Sequence, residues 1–437
     1  MTSHLGLEVI TVVLLATAAE CADPADVSAA PPGRAGGAEA YYGWLTGCLD
    51  AVEKDLPKYT ESAEAAAKLY VAGDYEIGAW GGDPFVREIY GRSGGIMQMK
   101  SLDKPFSGKG AAWVPPGKAI ALVGLRDDLM GDAPDRIVEF KKRGYYVVVF
   151  GRAELIDKAR MSLPKGSEVD DWIETHAAPH RGLLRDADGR WVVPTDSAAL
   201  STASWVWVAE FVAACTRLGK MPPMYLGYAV EGAKEREAKF QGLRFHDNLP
   251  GRLEAGKLSE QFLSELRKSL RQIHDLEMPG IRRAAADALE AKAAGAKLWV
   301  YLQGHVTLHL MGYPHDPRWF DPIHRDWNEM RTDVTVGPGD FILCIGFDQI
   351  FDGGDWQDFA AQARKVGAKL AWSFTDYRAE QVKAVPAGEA YIDQHWAKGD
   401  AVAVVPNYDI KCIPTSGVIA EAVLWMVHAE MLNHPPQ

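Results

Sequence analysis

The chain has 437 residues, 47% hydrophobic and 24% charged, which is ordinary globular composition with length for two or three domains. The formal net charge of −12 repels a phosphate backbone and argues against nucleic acid as a partner. Five cysteines with no CxxC pair argue against a zinc knuckle or thioredoxin-type site, and the odd count argues against a disulfide scaffold.

The apolar run 9–19 is too short to span a bilayer but matches the core of a secretory signal, with Ala16-Thr17-Ala18 suited to cleavage. The first eight residues carry Glu8 and no Lys or Arg, which departs from that pattern. Residues 1–22 read as a signal peptide and 23–39, rich in Ala, Pro and Gly, as a linker. The expected location is periplasmic or secreted, or cytoplasmic if the run is not a signal. No other segment reads as a membrane span, so none is expected in the mature chain.

Residues 41–67 predict an amphipathic helix, 68–73 a first strand, and 73–83 a glycine-rich loop after it. Pro116-Gly117 then feeds an apolar run ending at Gly124, the pattern of a buried parallel strand. A helix ending at Gly144 and a strand at 145–150 complete a βαβ unit. The same block returns 222 residues later, from Pro338-Gly339 to Gly346, with its helix ending at Gly367 and a strand at 368–374. Ile173-Glu174-Thr175-His176 is echoed 219 residues on by Ile392-Asp393-Gln394-His395. Pro194-Thr195, Trp205 and Ala209-Glu210 recur at a spacing of 220 as Pro414-Thr415, Trp425 and Ala429-Glu430. With a helix at 261–294 and a strand at 297–302, the second copy has the design of the first. The reading is α/β: domains at 40–215 and 259–437, joined by a connector at 216–258 and related by internal duplication. Each is a doubly wound parallel sheet, Rossmann-like and of the flavodoxin type.

The order of helix, strand, glycine loop and helix, then Pro338-Gly339-Asp340, strand, helix and Gly367-Ala368-Lys369, resembles the sugar isomerase (SIS) family of phosphosugar-binding domains. The stretch from Gly399-Asp400-Ala401 through Pro414-Thr415-Ser416-Gly417 is similar to the end of such domains. Glu88-Ile89-Tyr90-Gly91-Arg92 resembles a stretch after the first strand of phosphoheptose isomerases. The resemblance spans 40–215 and 260–432 and implies tandem SIS-like domains that bind a carbohydrate derivative. SIS domains usually place a Ser/Thr-rich loop after the second strand for phosphate. Here 125–131 and 347–355 contain neither residue and carry aspartates instead. Three readings stay open: an unphosphorylated sugar, phosphate bound elsewhere, or no similar ligand.

Ligands in open parallel sheets bind beyond the carboxyl ends of the strands. In 73–83, Asp74, Glu76 and Asp83 offer carboxylates to hydroxyls and Trp80 a face to a sugar ring. In 303–315 stand Gln303, His305 and His309. Four residues apart, the two histidines would share a helix face and could hold a divalent metal, although the reading requires no cofactor. Val306-Thr307 replaces the glutamate of HExxH, so that protease motif is absent. His246 stands beside Asp247 in the connector, a base next to an acid. Arg92, Ser93, Asp128, Asp348 and Ser416 are further candidate ligand contacts. His176 and His395, at matching positions, read as fold requirements hydrogen-bonded to a loop. The expected site lies between the halves, lined by 73–83 and 303–315. The expected function is sugar isomerase-like proton transfer next to a carbonyl, with Glu76, His305 and His246 as candidate groups. The alternatives are a non-catalytic sugar-sensing module and a metal-dependent hydrolase at His305 and His309. The expected partner is a small-molecule sugar, and a homodimer is compatible with it.

Overall fold

The computed structural model describes residues 36–103, 115, 117–227, 230–247, 251–302, 319–326, 329–330, 333–346, 355–375, 385–396 and 399–433. The first half runs α1 (Gly37–Lys54), α2 (Leu56–Ala72), β1 (Tyr75–Trp80), α3 (Asp83–Ile89) and β2 (Lys100–Ser101). It continues with β3 (Lys118–Gly124), α4 (Ala133–Lys142), β4 (Tyr146–Gly151), α5 (Ala153–Ser162) and β5 (Asp171–Glu174). A hairpin of β6 (Leu184–Arg185) and β7 (Trp191–Val192) leads into α6 (Asp196–Arg217), and the connector holds α7 (Ala233–Phe240). The second half opens with α8 (Lys257–Gln272), a π-helical turn (Ile273–Glu277) and α9 (Met278–Ala293). Then come β8 (Leu298–Leu302), β9 (Asp321–Pro322), the pair β10 (His324–Asp326) and β11 (Glu329–Met330), and β12 (Phe341–Ile345). The chain ends with α10 (Asp355–Lys365), β13 (Lys369–Phe374), β14 (Ala390–Asp393), the hairpin β15 (Ala401–Val404) and β16 (Lys411–Pro414), and α11 (Ser416–Asn433).

The sheet orders are β2-β1-β3-β4-β5 and β9-β8-β12-β13-β14, with every pairing parallel. Alternate strand residues face opposite sides, so a strand covered on both sides must be apolar throughout. Ile120 and Leu122 of β3 face inward while Ala119, Ala121 and Val123 face α4 and α5. In β12, Leu343 and Ile345 face inward, and Ile342 and Cys344 face α10. One continuous core fills the space between the sheets and is built from α1, α2, α6, α8, α9 and α11. Helices α6 and α11 are apolar all round because they are surrounded. Helix α6 is long and apolar enough to cross a membrane, but its apolar window is wholly buried in this core.

The halves exchange their first helices: α1 packs on α11, and α8 packs on α6. Each exchange is fixed by a buried glutamate at a helix N-terminus, where free N–H groups and the dipole favour a carboxylate. Glu430 accepts from the Ala38 N–H at 3.2 Å, and Glu210 accepts from the Gly256 N–H at 3.0 Å and the Ser259 hydroxyl at 2.6 Å.

Four expectations change. The helix expected at 41–67 is two, because Pro57 cannot continue a helix; in the second half Pro279 follows the π turn within 261–294. The strand expected at 68–73 is the last turn of α2, capped by Gly73 at φ 95°, and the first strand is β1. Helix α1 begins at Gly37, inside the stretch read as linker. His176 and His395 bond carboxylates: their Nε2 atoms lie 3.2 Å from Asp55 and 2.9 Å from Glu277. Both hold positive φ, 58° and 54°, a region in which histidine is enriched. Each thereby ties the end of its sheet to the break between its half's first two helices.

His274, on the π turn, joins the halves. It stacks on Tyr42 at 4.2 Å, with Nδ1 2.7 Å from Asp275 and Nε2 2.8 Å from Glu39. The hydrogen bonds to Asp275 and Glu39 raise its pKa against a smaller opposing effect of burial. The stabilisation is therefore complete below about pH 6.5, the unfolded value, and is lost as pH rises through the folded value. Urea unfolding of wild type and His274→Gln should show a wild-type advantage under acidic conditions that shrinks at alkaline pH. A difference independent of pH would refute this assignment.

Candidate functional site

The carboxyl end of the first sheet is closed by ion pairs. Asp128 accepts two bonds from Arg126 at 3.0 Å. Arg152, at the end of β4, bonds Asp127 at 2.7 Å, Asp196 at 3.0 and 3.1 Å, and Glu154 at 3.1 Å. The Gly81 and Gly82 amides at the end of β1 donate to Asp103 at 3.2 and 3.0 Å. The chain's own carboxylates thus occupy positions that would otherwise favour an anion.

Beside these lies a polar cluster buried between the halves. Arg92, just beyond α3, donates from Nη2 to the Ser416 hydroxyl at 2.6 Å. It also lies 3.6 Å from Asp400 and 3.5 Å from Glu88. Glu88 accepts from the Trp205 indole N–H at 2.9 Å, and Asp400 accepts from the Ser416 amide at 2.9 Å. The Glu88 carboxylate rests on Gly417, where any Cβ would overlap it. Burial pushes the Glu88 carboxyl above its usual range, against the pull of Arg92 and Trp205. One turn beyond Gly417 stands Glu421, fully buried. Burial and the Glu88 charge push its carboxyl far above the usual range.

The structure brings Arg92 and Ser416 into contact and sets Ser93 beside them, its hydroxyl 3.4 Å from the Gly399 carbonyl. Other candidates disperse. Asp74 is exposed and precedes β1. Glu76 lies within β1 near its amino end, paired with Arg244 at 3.2 Å, so neither residue stands at the carboxyl end. The cause is the two-helix opening, which shifts the first strand along the sequence. Trp80 does reach the carboxyl end but packs into the outer core with Leu102 and Leu125. Asp83 opens α3. His246 packs 4.0 Å from Phe240, and burial lowers its pKa; Asp409 of the second half acts on it more strongly than its neighbour Asp247. Gln303, His305, His309 and Asp348 lie outside the described residues, as does the loop 303–315.

Sequence reading quoted Glu88 and Asp400 within the stretches that carry the resemblance but not as site residues, and passed over Glu421 altogether. The available signal was an acid inside an apolar helix: Glu421 stands in the run 418–427, which is otherwise uncharged.

Fold and site define an α/β protein of two doubly wound parallel sheets with a polar cluster between them, the architecture that a tandem SIS resemblance implies. No family model matches the sequence, and no curated protein matches it. Among solved structures, the chain is similar to the C-terminal domain of glucosamine-fructose-6-phosphate aminotransferase from Francisella tularensis. That match has 8% identity, covers 89% of this chain and 95% of the other, and has a TM-score of 0.43. It is also similar to glucosamine-6-phosphate deaminase from Thermotoga maritima, with 10% identity, 90% and 92% coverage, and a TM-score of 0.43.

Proposed function

We propose that the chain binds an unphosphorylated sugar or sugar derivative between its halves and moves a proton next to a carbonyl, with Glu88 as the base. The observation that carries this reading is Glu88 itself. It is a buried carboxyl with raised proton affinity, held by Trp205 and Arg92 of one half against Gly417 of the other. A carboxylate with raised proton affinity is a stronger base than an exposed one and can both take and return a proton. Arg92 and Ser416 supply donors for a carbonyl or hydroxyl oxygen. The carboxylates at Asp103, Asp127 and Asp128 disfavour a phosphate ester, which fits an exported protein.

The second reading is a non-catalytic sugar-binding module. It is favoured by the mutual pairing of Arg92, Glu88, Asp400 and Ser416, which leaves the cluster closed.

A thermal-shift panel of aldoses, ketoses and amino sugars beside their phosphate esters tests ligand class. The expected result is stabilisation by free sugars and none by the esters; stabilisation by esters alone sinks the reading. Proton NMR in heavy water then tests chemistry on any sugar that binds. Wild type should exchange the hydrogen next to the carbonyl, and Glu88→Gln should slow exchange by about 100-fold or more while still binding. Binding without exchange in wild type selects the sensing module. For location, the intact mass of protein from its native host should correspond to a start near residues 19–23, and a full-length mass would remove export.

A further inference from the structure

We propose that Glu88 and Glu421 act as one carboxyl pair holding a single proton between the halves, with Glu88 ionised and Glu421 protonated. This deepens the proton-transfer reading and rests on it for its purpose, but not for its test.

The geometry starts from α11. Gly417 and Glu421 are four residues apart and share a helix face. The Glu88 carboxylate fills the space where a Gly417 side chain would be, one turn before Glu421, and its charge acts on Glu421. Both residues are buried, Glu421 to 1% exposure. Glu88 has donors that hold a negative charge, the Trp205 indole at 2.9 Å and Arg92 at 3.5 Å. Glu421 has no comparable support. Among the described residues, neither of its oxygens has a well-aligned hydrogen-bond partner, although both are shielded from solvent.

The groups that act on Glu421 come from several elements. Tyr41 on α1 brings a buried phenol, Ser197 on α6 a hydroxyl, and Arg126 after β3 a cation; Glu88 on α3 brings the opposing charge. Arg126 is already bound to Asp128. An ionised Glu421 would therefore be a buried charge beside another carboxylate, with no ion pair of its own among the described residues, a costly state that protonation relieves. Two acids at one site then differ in role: one accepts a proton while the other has one to give. Glu421 acts through Glu88 and is a positioning residue. Any proton that Glu88 takes from a ligand raises the acidity of Glu421, because the two sites titrate together.

The test needs no ligand. Protein labelled with carbon-13 at glutamate side-chain carboxyls is titrated by NMR, and the Glu421 resonance is the one that Glu421→Gln removes. Glutamine mimics the protonated acid, so that variant should fold; if it does not, Glu421→Asp displaces the same peak. The expected midpoint for Glu421 in wild type lies at least about 1 pH unit above the ordinary glutamate value near 4.3, a tenfold higher proton affinity. In Glu88→Gln the midpoint should fall back by about 1 pH unit or more, a tenfold loss of proton affinity. A midpoint in the ordinary range overturns the pair. So does a raised midpoint that Glu88→Gln leaves in place, since burial alone would then explain it. Either result leaves sugar binding to be judged by its own assays.

Discussion

Replacing Arg92 by methionine is expected to destabilise the protein by about 3–5 kcal/mol, the cost of removing one partner from a buried charge cluster. Arg92 has no exposed surface, and it stands between Glu88 and Asp400 with Ser416 at 2.6 Å. Methionine keeps much of the volume, so the loss is electrostatic rather than a cavity. Without the guanidinium, Glu88 and Asp400 must protonate or repel each other. Adding Glu88→Gln to the methionine variant should therefore recover part of the loss, and equilibrium unfolding of both single variants and the double measures the coupling. A methionine variant within about 1 kcal/mol of wild type would mean that Arg92 does not hold the halves together.

Replacing Gly37 by alanine should cost about 1–3 kcal/mol or more, although alanine is the better helix former. The added methyl would overlap the backbone carbonyl of Ala429, where α1 meets α11. Backbone on backbone leaves no side chain to swing aside, so the helices must part. Gly43→Ala is the control. Gly43 lies on the exposed side of the same helix with nothing within 4 Å of an added Cβ, and the change there should stabilise by about 0.5–1 kcal/mol. Thermal unfolding of the two variants gives opposite signs if the α1–α11 exchange is as close as the structure has it. Equal effects would show that the contact gives way easily.

The sequence by itself determined the strands around Leu122 and Leu343, because a strand covered on both faces is a continuous apolar run closed by turn residues. It also determined the shared order of the halves, since matching blocks from Pro116 to Glu210 and from Pro338 to Glu430 stand at nearly constant spacing. Those are local patterns, legible one segment at a time. The first strand was misplaced because the tail of α2 ends in the apolar stretch Leu69-Tyr70-Val71-Ala72, and such short runs suit helix and strand alike.

Only the tertiary structure assembled the buried polar cluster. Arg92 and Ser416 were each legible as polar residues in promising places, but their contact joins positions 324 residues apart. Glu88 stands in an ordinary-looking segment and Glu421 in an apolar run, and only the packing of the two halves buries both carboxyls. Glu76 went the other way, from candidate base to the amino end of β1 and the grip of Arg244. Burial and partnership set the chemistry of a carboxyl, and both are properties of the packed halves rather than of any one segment.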